Sequence, residues 1–146
     1  MAETNSPKTY LNGRIISHDD AANALREMDL GSAGGFYDSE RTFGGRLFKL
    51  RPHLERLYRG LDATKIDPGL SLEKMEEITN RVLESNRDLL SQGDEVVMTQ
   101  VVNVGAPATP EASPPVNVII YCRPLDPSPF AGSYTAGVSV VTPVTY

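Results

Sequence analysis

The residues of this chain best suited to chemistry are basic ones gathered in one stretch. Arg41, Arg46, Lys49, Arg51, Arg56 and Arg59 are six of its 14 lysines and arginines, and Glu55 is the one acid among them. In a chain of formal net charge −5, such a patch is a place to hold a small anion, a phosphate or a carboxylate. The plainer reading is a solvated helix face, and composition alone favours it.

Helical geometry sets Arg56 apart. Leu50, Leu54, Leu57, Tyr58 and Leu61 recur at helical spacing, and Pro52 suits a first helical turn, where its missing N–H costs nothing. On that helix Arg56 projects nearly opposite the leucine stripe. It therefore points to water or lines a cavity separate from the core. A guanidinium on a rigid helix offers paired N–H donors that match a phosphate.

The elements that must position this arginine follow from turn and period signals. Thr9–Ser17 (TYLNGRIIS) carries Asn12-Gly13, which suits a type I′ hairpin turn, after a polar tail over 1–8. His18–Met28 reads as a short helix with an acidic start, and Asp29–Gly35 as a glycine-rich loop. Phe36–Phe43 and Arg46–Leu50 flank Gly44-Gly45, a second hairpin signal. The basic helix spans Arg51–Ile66 and is broken by Asp67-Pro68-Gly69. Ser71 is a cap for a second, longer helix with Leu72, Met75, Ile78, Val82 and Leu89 on one face, ending at Gln92-Gly93. Glu95–Val104 and Val116–Cys122 read as strands around a proline-rich loop, Arg123–Ser133 as a loop or linker, and Gly137–Tyr146 as a last strand. Hairpins, then two helices, then strands predict an α+β layer: a mainly antiparallel sheet with two helices packed on one face.

Composition excludes several classes. A pI near 5.0 argues against general nucleic-acid binding and against adhesion to an acidic membrane surface. No stretch approaches the ~20 apolar residues of a membrane helix, and the N-terminus has no signal-peptide pattern. The expected location is the cytoplasm. Cys122, the one cysteine, reads as a buried small hydrophobe. It and the two histidines, His18 and His53, do not combine into a metal site.

The segment Tyr37-Asp38-Ser39-Glu40-Arg41, the Gly44-Gly45 hairpin, Leu47-Phe48-Lys49-Leu50 and then His53-Leu54-Glu55-Arg56-Leu57 resembles the N-terminal signature of the class IV, fold-type IV aminotransferases. That family includes the branched-chain and D-amino-acid aminotransferases, the (R)-selective amine transaminases and the aminodeoxychorismate lyases. The opening hairpin and Asp29-x-Gly31 are similar to family features as well. The resemblance implies a pyridoxal 5′-phosphate cofactor, an amino donor and a 2-oxo acid as substrates, and a homodimer. It implies that Arg56 binds the cofactor phosphate, that Tyr37 lines the substrate pocket and that Arg41 stands near the pocket mouth. Thr99 stands where branched-chain enzymes carry an arginine, which disfavours that subgroup.

The Schiff-base lysine of the family lies in its second half. Lys8, Lys49, Lys65 and Lys74, the chain's lysines, match no such motif, so no catalytic residue is assigned. The expectation is an N-terminal domain over 9–123, an interdomain linker over 124–133 and the start of a missing C-terminal domain over 134–146, inactive alone. The alternatives are an aminodeoxychorismate-type lyase with the same cofactor, and a non-catalytic relic that dimerises or binds an anion.

Overall fold

The computed structural model describes residues 6–27, 34–89, 94–107 and 109–142. The Asp29-x-Gly31 loop, most of the polar tail and Gln92-Gly93 lie outside the described residues.

Six strands form one sheet in which every pairing is antiparallel. In chain order they are β1 (Lys8–Leu11), β2 (Arg14–Ser17), β3 (Gly35–Phe43), β4 (Arg46–Leu47), β5 (Val96–Val104) and β6 (Val116–Pro124), and their order across the sheet is β2-β1-β6-β5-β3-β4. Both hairpin expectations hold. Asn12 and Gly13 take φ 45° and 97°, and Gly44 and Gly45 take 56° and 71°, the positive angles that a two-residue turn between right-twisted strands demands. Glu95 Oε1 accepts the Gly44 N–H at 2.6 Å and so ties the second turn to the entry of β5.

The helices are α1 (His18–Glu27), α2 (Leu50–Thr64), α3 (Leu72–Ser85) and α4 (Ala131–Ala136). Helices α2 and α3 lie on one face of the sheet. Leu54 and Leu61 of α2 and Met75 and Val82 of α3 are fully buried in one cluster with Met98, Val102 and Ile120 of the strands. Helix α3 starts where expected: the Ser71 hydroxyl accepts the Lys74 N–H at 3.2 Å. Ser71→Ala is expected to cost about 1 kcal/mol, read as a fall in the urea midpoint with no change in slope.

Three elements differ from the sequence reading. Lys8, assigned to the tail, opens β1. Helix α3 stops at Ser85 instead of continuing to Gln92-Gly93, and a 3₁₀ turn covers Arg87–Leu89. The cause is Asn86, whose side chain folds back to donate to Val82 O at 2.7 Å and to Lys8 O at 2.9 Å. Lastly, residues 137–142, expected to be a strand, have no regular structure, and Val138, Val140 and Val141 are 69%, 80% and 85% exposed. β-branched residues favour a strand only where a pleated neighbour exists to pack against, and none of the described strands pairs with this run. The loop expected over Arg123–Ser133 contains a 3₁₀ turn at Ser128–Phe130 and the start of α4. Cys122 is buried, and burial pushes its thiol up to about 11, which leaves it inert at neutral pH.

Candidate functional site

Strand β3 supplies the polar half of the site. Its residues alternate between two faces. Asp38 and Glu40 pair in register with Gln100 and Met98 of β5 and face the helices, while Tyr37, Ser39 and Arg41 point to the opposite side. On that opposite side Ser39 Oγ and Thr99 Oγ1 lie 2.9 Å apart. Strand β4 pairs only with Thr42 and Phe43. From Gly35 to Glu40 no described strand pairs with the outer edge of β3, and helix α2 packs against this part of the strand.

The meeting is close because of two glycines. A Cβ on Gly60 of α2 would stand 2.8 Å from ring atoms of Phe36, and one on Gly35 would stand 2.5 Å from the Val102 carbonyl oxygen. Their missing side chains let α2 sit against β3, and β3 against β5.

Across this seam the Arg56 guanidinium grips Asp38 side-on. Nε donates to Oδ2 at 2.7 Å and Nη2 to Oδ1 at 2.6 Å. Asp38 Oδ1 also accepts the Ser39 backbone N–H at 2.8 Å and lies 2.8 Å from His53 Nδ1. The Asp38 side chain is 2% exposed and that of Arg56 65%. Burial pushes the Asp38 carboxyl up, but the hydrogen bonds from Arg56 and His53 and the Arg56 charge outweigh it and hold the group below the usual carboxylate range. Asp38 is thus an ionised, buried acceptor, and Arg56 is an exposed cation fixed at one edge. Among the described residues Arg56 Nη1 has no hydrogen-bond partner.

Arg56 borders two concave surfaces. One is an open groove of about 460 Å³ between β3 and α2, shared with Phe36, Tyr37, Ser39 and Gly60. The other is a shallow depression of about 140 Å³ shared with Lys49, Pro52, His53 and Arg59. The structure therefore brings Arg56 and Tyr37 together. Tyr37 is 74% exposed. Arg41 lies outside both concavities: its guanidinium carbon sits 4.1 Å from the Phe43 ring centroid and its Nε donates to Thr42 O at 3.1 Å.

The basic stretch is not one patch. Arg51 is committed to Glu73 at 3.0 Å and Glu76 at 3.2 Å, pairs that link α2 to α3. A further hollow, lined by Arg46, Lys49, Arg51 and Arg87, is already neutralised in part by these acids and by Glu84, which pairs with Arg87. Lys49, Arg56 and Arg59 remain to face an incoming anion.

Sequence reasoning gave no role to Asp38 or His53. The signal was the alternation in β3, but both of its faces carry polar residues, so the pattern alone did not say which side was inward. It also missed Glu40. This residue is 4% exposed, accepts from Gln100 Nε2 at 2.8 Å through Oε1, and leaves its Oε2 and the Gln100 Oε1 unpaired. Burial, reduced somewhat by the Gln100 hydrogen bond and increased by the Asp38 charge, raises its pKa to about 7.

The sequence profile of the family described as Amino-transferase class IV matches residues 35–144, from the start of β3 onward. The chain belongs to the class IV aminotransferase family. D-alanine aminotransferase of Staphylococcus haemolyticus is 27% identical over 124 residues, which are 82% of this chain and 43% of that protein. D-alanine aminotransferase of Staphylococcus epidermidis is 27% identical over 79 residues, 54% of this chain and 28% of that protein. The chain thus spans less than half the length of the curated relatives it matches. Two solved structures share the fold. The branched-chain amino acid aminotransferase of Thermobaculum terrenum in its PLP form aligns with a TM-score of 0.66 at 16% identity over 86% of this chain and 42% of its own. The branched-chain aminotransferase of Thermoproteus uzoniensis with norvaline gives 0.62 at 18%, over 83% of this chain and 41% of its own. The α+β architecture with an antiparallel sheet is that of fold-type IV. Among the described residues no helix is long and apolar enough to cross a membrane, and no cluster of His, Cys, Asp and Glu could hold a metal ion.

Proposed function

We propose that this chain is the phosphate-anchoring part of an enzyme that transfers an amino group from an amino acid or amine to a 2-oxo acid. The observation that carries the reading is the Arg56 guanidinium. It is held bidentate by buried Asp38, its Nη1 has no hydrogen-bond partner among the described residues, and Arg56 borders a groove that Tyr37 also lines.

The residues fit the phosphate of pyridoxal 5′-phosphate. An anchored guanidinium presents N–H donors without having to lose much rotamer freedom. Lys49 and Arg59 at the same depression add positive charge that Asp38 does not cancel. Bound there, the cofactor supplies the electron sink for amino transfer. Arg56 binds its phosphoryl oxygens, Tyr37 forms a wall of the substrate pocket, and Arg41, on the same face of β3 as Tyr37, stands near the pocket mouth. The lysine that holds the cofactor covalently is assigned to the part of the relatives' length that this chain does not span. In this reading residues 9–123 are the N-terminal domain, 124–133 the interdomain linker and 134–146 the start of the second domain, and the working enzyme is a cytoplasmic homodimer.

The test uses pyridoxamine 5′-phosphate, whose amine cannot react with a lysine. The chain has no tryptophan, so the ligand's own fluorescence reports binding. The expected result is binding that needs the phosphate, with pyridoxamine at least tenfold weaker, and a loss of at least tenfold in Arg56→Ala. Equal affinity for the two ligands, or unchanged binding in Arg56→Ala, overturns the reading.

A further inference from the structure

The Arg56 side chain is long and two-thirds exposed, so left alone it would sample many rotamers. In the structure it is tied to Asp38 by two hydrogen bonds. Both of its hydrogen bonds to Asp38 use the Nε edge of the guanidinium, which is planar, so the direction of the remaining Nη1 edge is fixed by the same contact. Asp38 is in turn fixed from two other sides, by the Ser39 N–H within β3 and by His53 one turn earlier on α2.

A buried carboxylate is an expensive way to stabilise a fold. Its desolvation cost has to be offset by its partners, here the hydrogen bonds from Arg56 and His53 and the Arg56 charge. Asp38 also lies beside the proposed anion site, where its charge repels the ligand. On net charge alone an acid is the wrong residue beside an anion site. Orientation is what it contributes.

We propose that Asp38 is the positioning residue of the anion site: it locks the Arg56 guanidinium so that the Nη1 edge faces the phosphate. This rests on the reading of Arg56 as the phosphate anchor. The other ionisable groups around the contact are His53, Arg59 and Lys49, from α2 and its N-terminal side, and Glu40, two residues along β3.

Two opposed effects of Asp38→Asn are separated by salt. Removing the acid takes away a repulsion, which strengthens binding, and frees the guanidinium, which weakens it. At about 1 M salt the Debye length is about 3 Å, so the part of the repulsion that reaches the ligand through solvent is screened, and the loss of orientation outweighs what is left of it. Pyridoxamine 5′-phosphate is titrated into the full chain, wild type and Asp38→Asn, at low salt and at 1 M sodium chloride. The expected result at high salt is at least threefold weaker binding by Asp38→Asn. In parallel the Arg56 Nε–H resonance, assigned by its absence in Arg56→Ala, is slow to exchange in the wild type and fast in Asp38→Asn. Equal or tighter binding at high salt, or an Nε–H that stays protected, overturns the proposal.

Arg56→Lys gives a second arm, should Asp38→Asn not fold. Position 56 is exposed, so lysine is tolerated there. It keeps the charge but cannot form the side-on pair. Positioning predicts that the lysine variant binds as weakly as Arg56→Ala at 1 M salt, whereas a charge-only role predicts that it keeps wild-type affinity, which overturns the proposal. If Arg56→Ala itself binds normally, it is the phosphate reading that fails; if Arg56→Ala is impaired while Arg56→Lys and Asp38→Asn are not, only the positioning role fails.

Discussion

Glu40→Gln is expected to stabilise the chain by about 3 kcal/mol at pH 8 and to leave it almost unchanged at pH 4. Glu40 is buried and its pKa is raised from 4.5 to about 7. Below pH 4.5 the group is protonated folded or unfolded, and costs nothing. Between 4.5 and 7 the unfolded chain ionises while the folded one keeps its proton, so stability falls as pH rises. Above 7 both forms are ionised and the penalty is constant. A displacement of that size corresponds to about 3 kcal/mol, at 1.36 kcal/mol per pH unit. Glutamine cannot ionise. Its amide nitrogen, standing where the unpaired Glu40 Oε2 was, also supplies a donor to the orphaned Gln100 Oε1 while its oxygen still accepts from Gln100 Nε2. Urea unfolding of both proteins from pH 4 to pH 8 checks this. A stability difference that does not grow between pH 4.5 and 7 would show that Glu40 is not held neutral.

Asn86→Ala is expected to cost about 3 kcal/mol, a large loss for one polar side chain. Asn86 is 1% exposed. Its Oδ1 accepts the Lys8 N–H at 2.7 Å and its Nδ2 donates to Lys8 O at 2.9 Å and to Val82 O at 2.7 Å. Strand β1 pairs with β6 only at Tyr10 and Leu11. At Lys8 the asparagine amide therefore does the work of the missing strand, and alanine leaves that backbone N–H and C=O unpaired. Each such bond is worth about 1 kcal/mol net, and more when its partner stays buried. Asn80→Ala is the control. Asn80 is exposed on α3, the helix that ends just before Asn86, and its loss should stay within about 0.5 kcal/mol. Equal effects of the two substitutions would reject the strand-substitute role.

These two sites mark where sequence reading stopped. Elements governed by local chemistry were legible. Asn12-Gly13 and Gly44-Gly45 announced their turns because few other residues take those angles, and Ser71 announced a helix start. The leucine spacing of α2 placed Arg56 off the core stripe, and the order of elements gave the α+β layer. What depends on partners distant in sequence was not legible. Asn86 reads as an ordinary helical residue until Lys8, 78 positions away, is set beside it. Asp38 and Glu40 look like surface residues of a polar strand until β5 brings Gln100 opposite Asp38 and α2 covers both. The valines over 138–141 carry a strong strand preference and form no strand, because a preference does not supply a neighbour. In the candidate site, the position of Arg56 off the leucine stripe was legible because that spacing lies on its own helix. Its anchor Asp38 was not, because that pairing is made between elements.

The contact between Gly60 and Phe36 has an evolutionary corollary. One glycine on a helix acts as a spacer gauge for the seam, since the bulk at residue 60 sets how near α2 rides to β3. Arginine and aspartate span that seam at full hydrogen-bonding contact, with no slack to absorb a wider gap. Lineages that enlarge residue 60 would have to lengthen the acid at position 38 in step, so the two positions should drift as a pair.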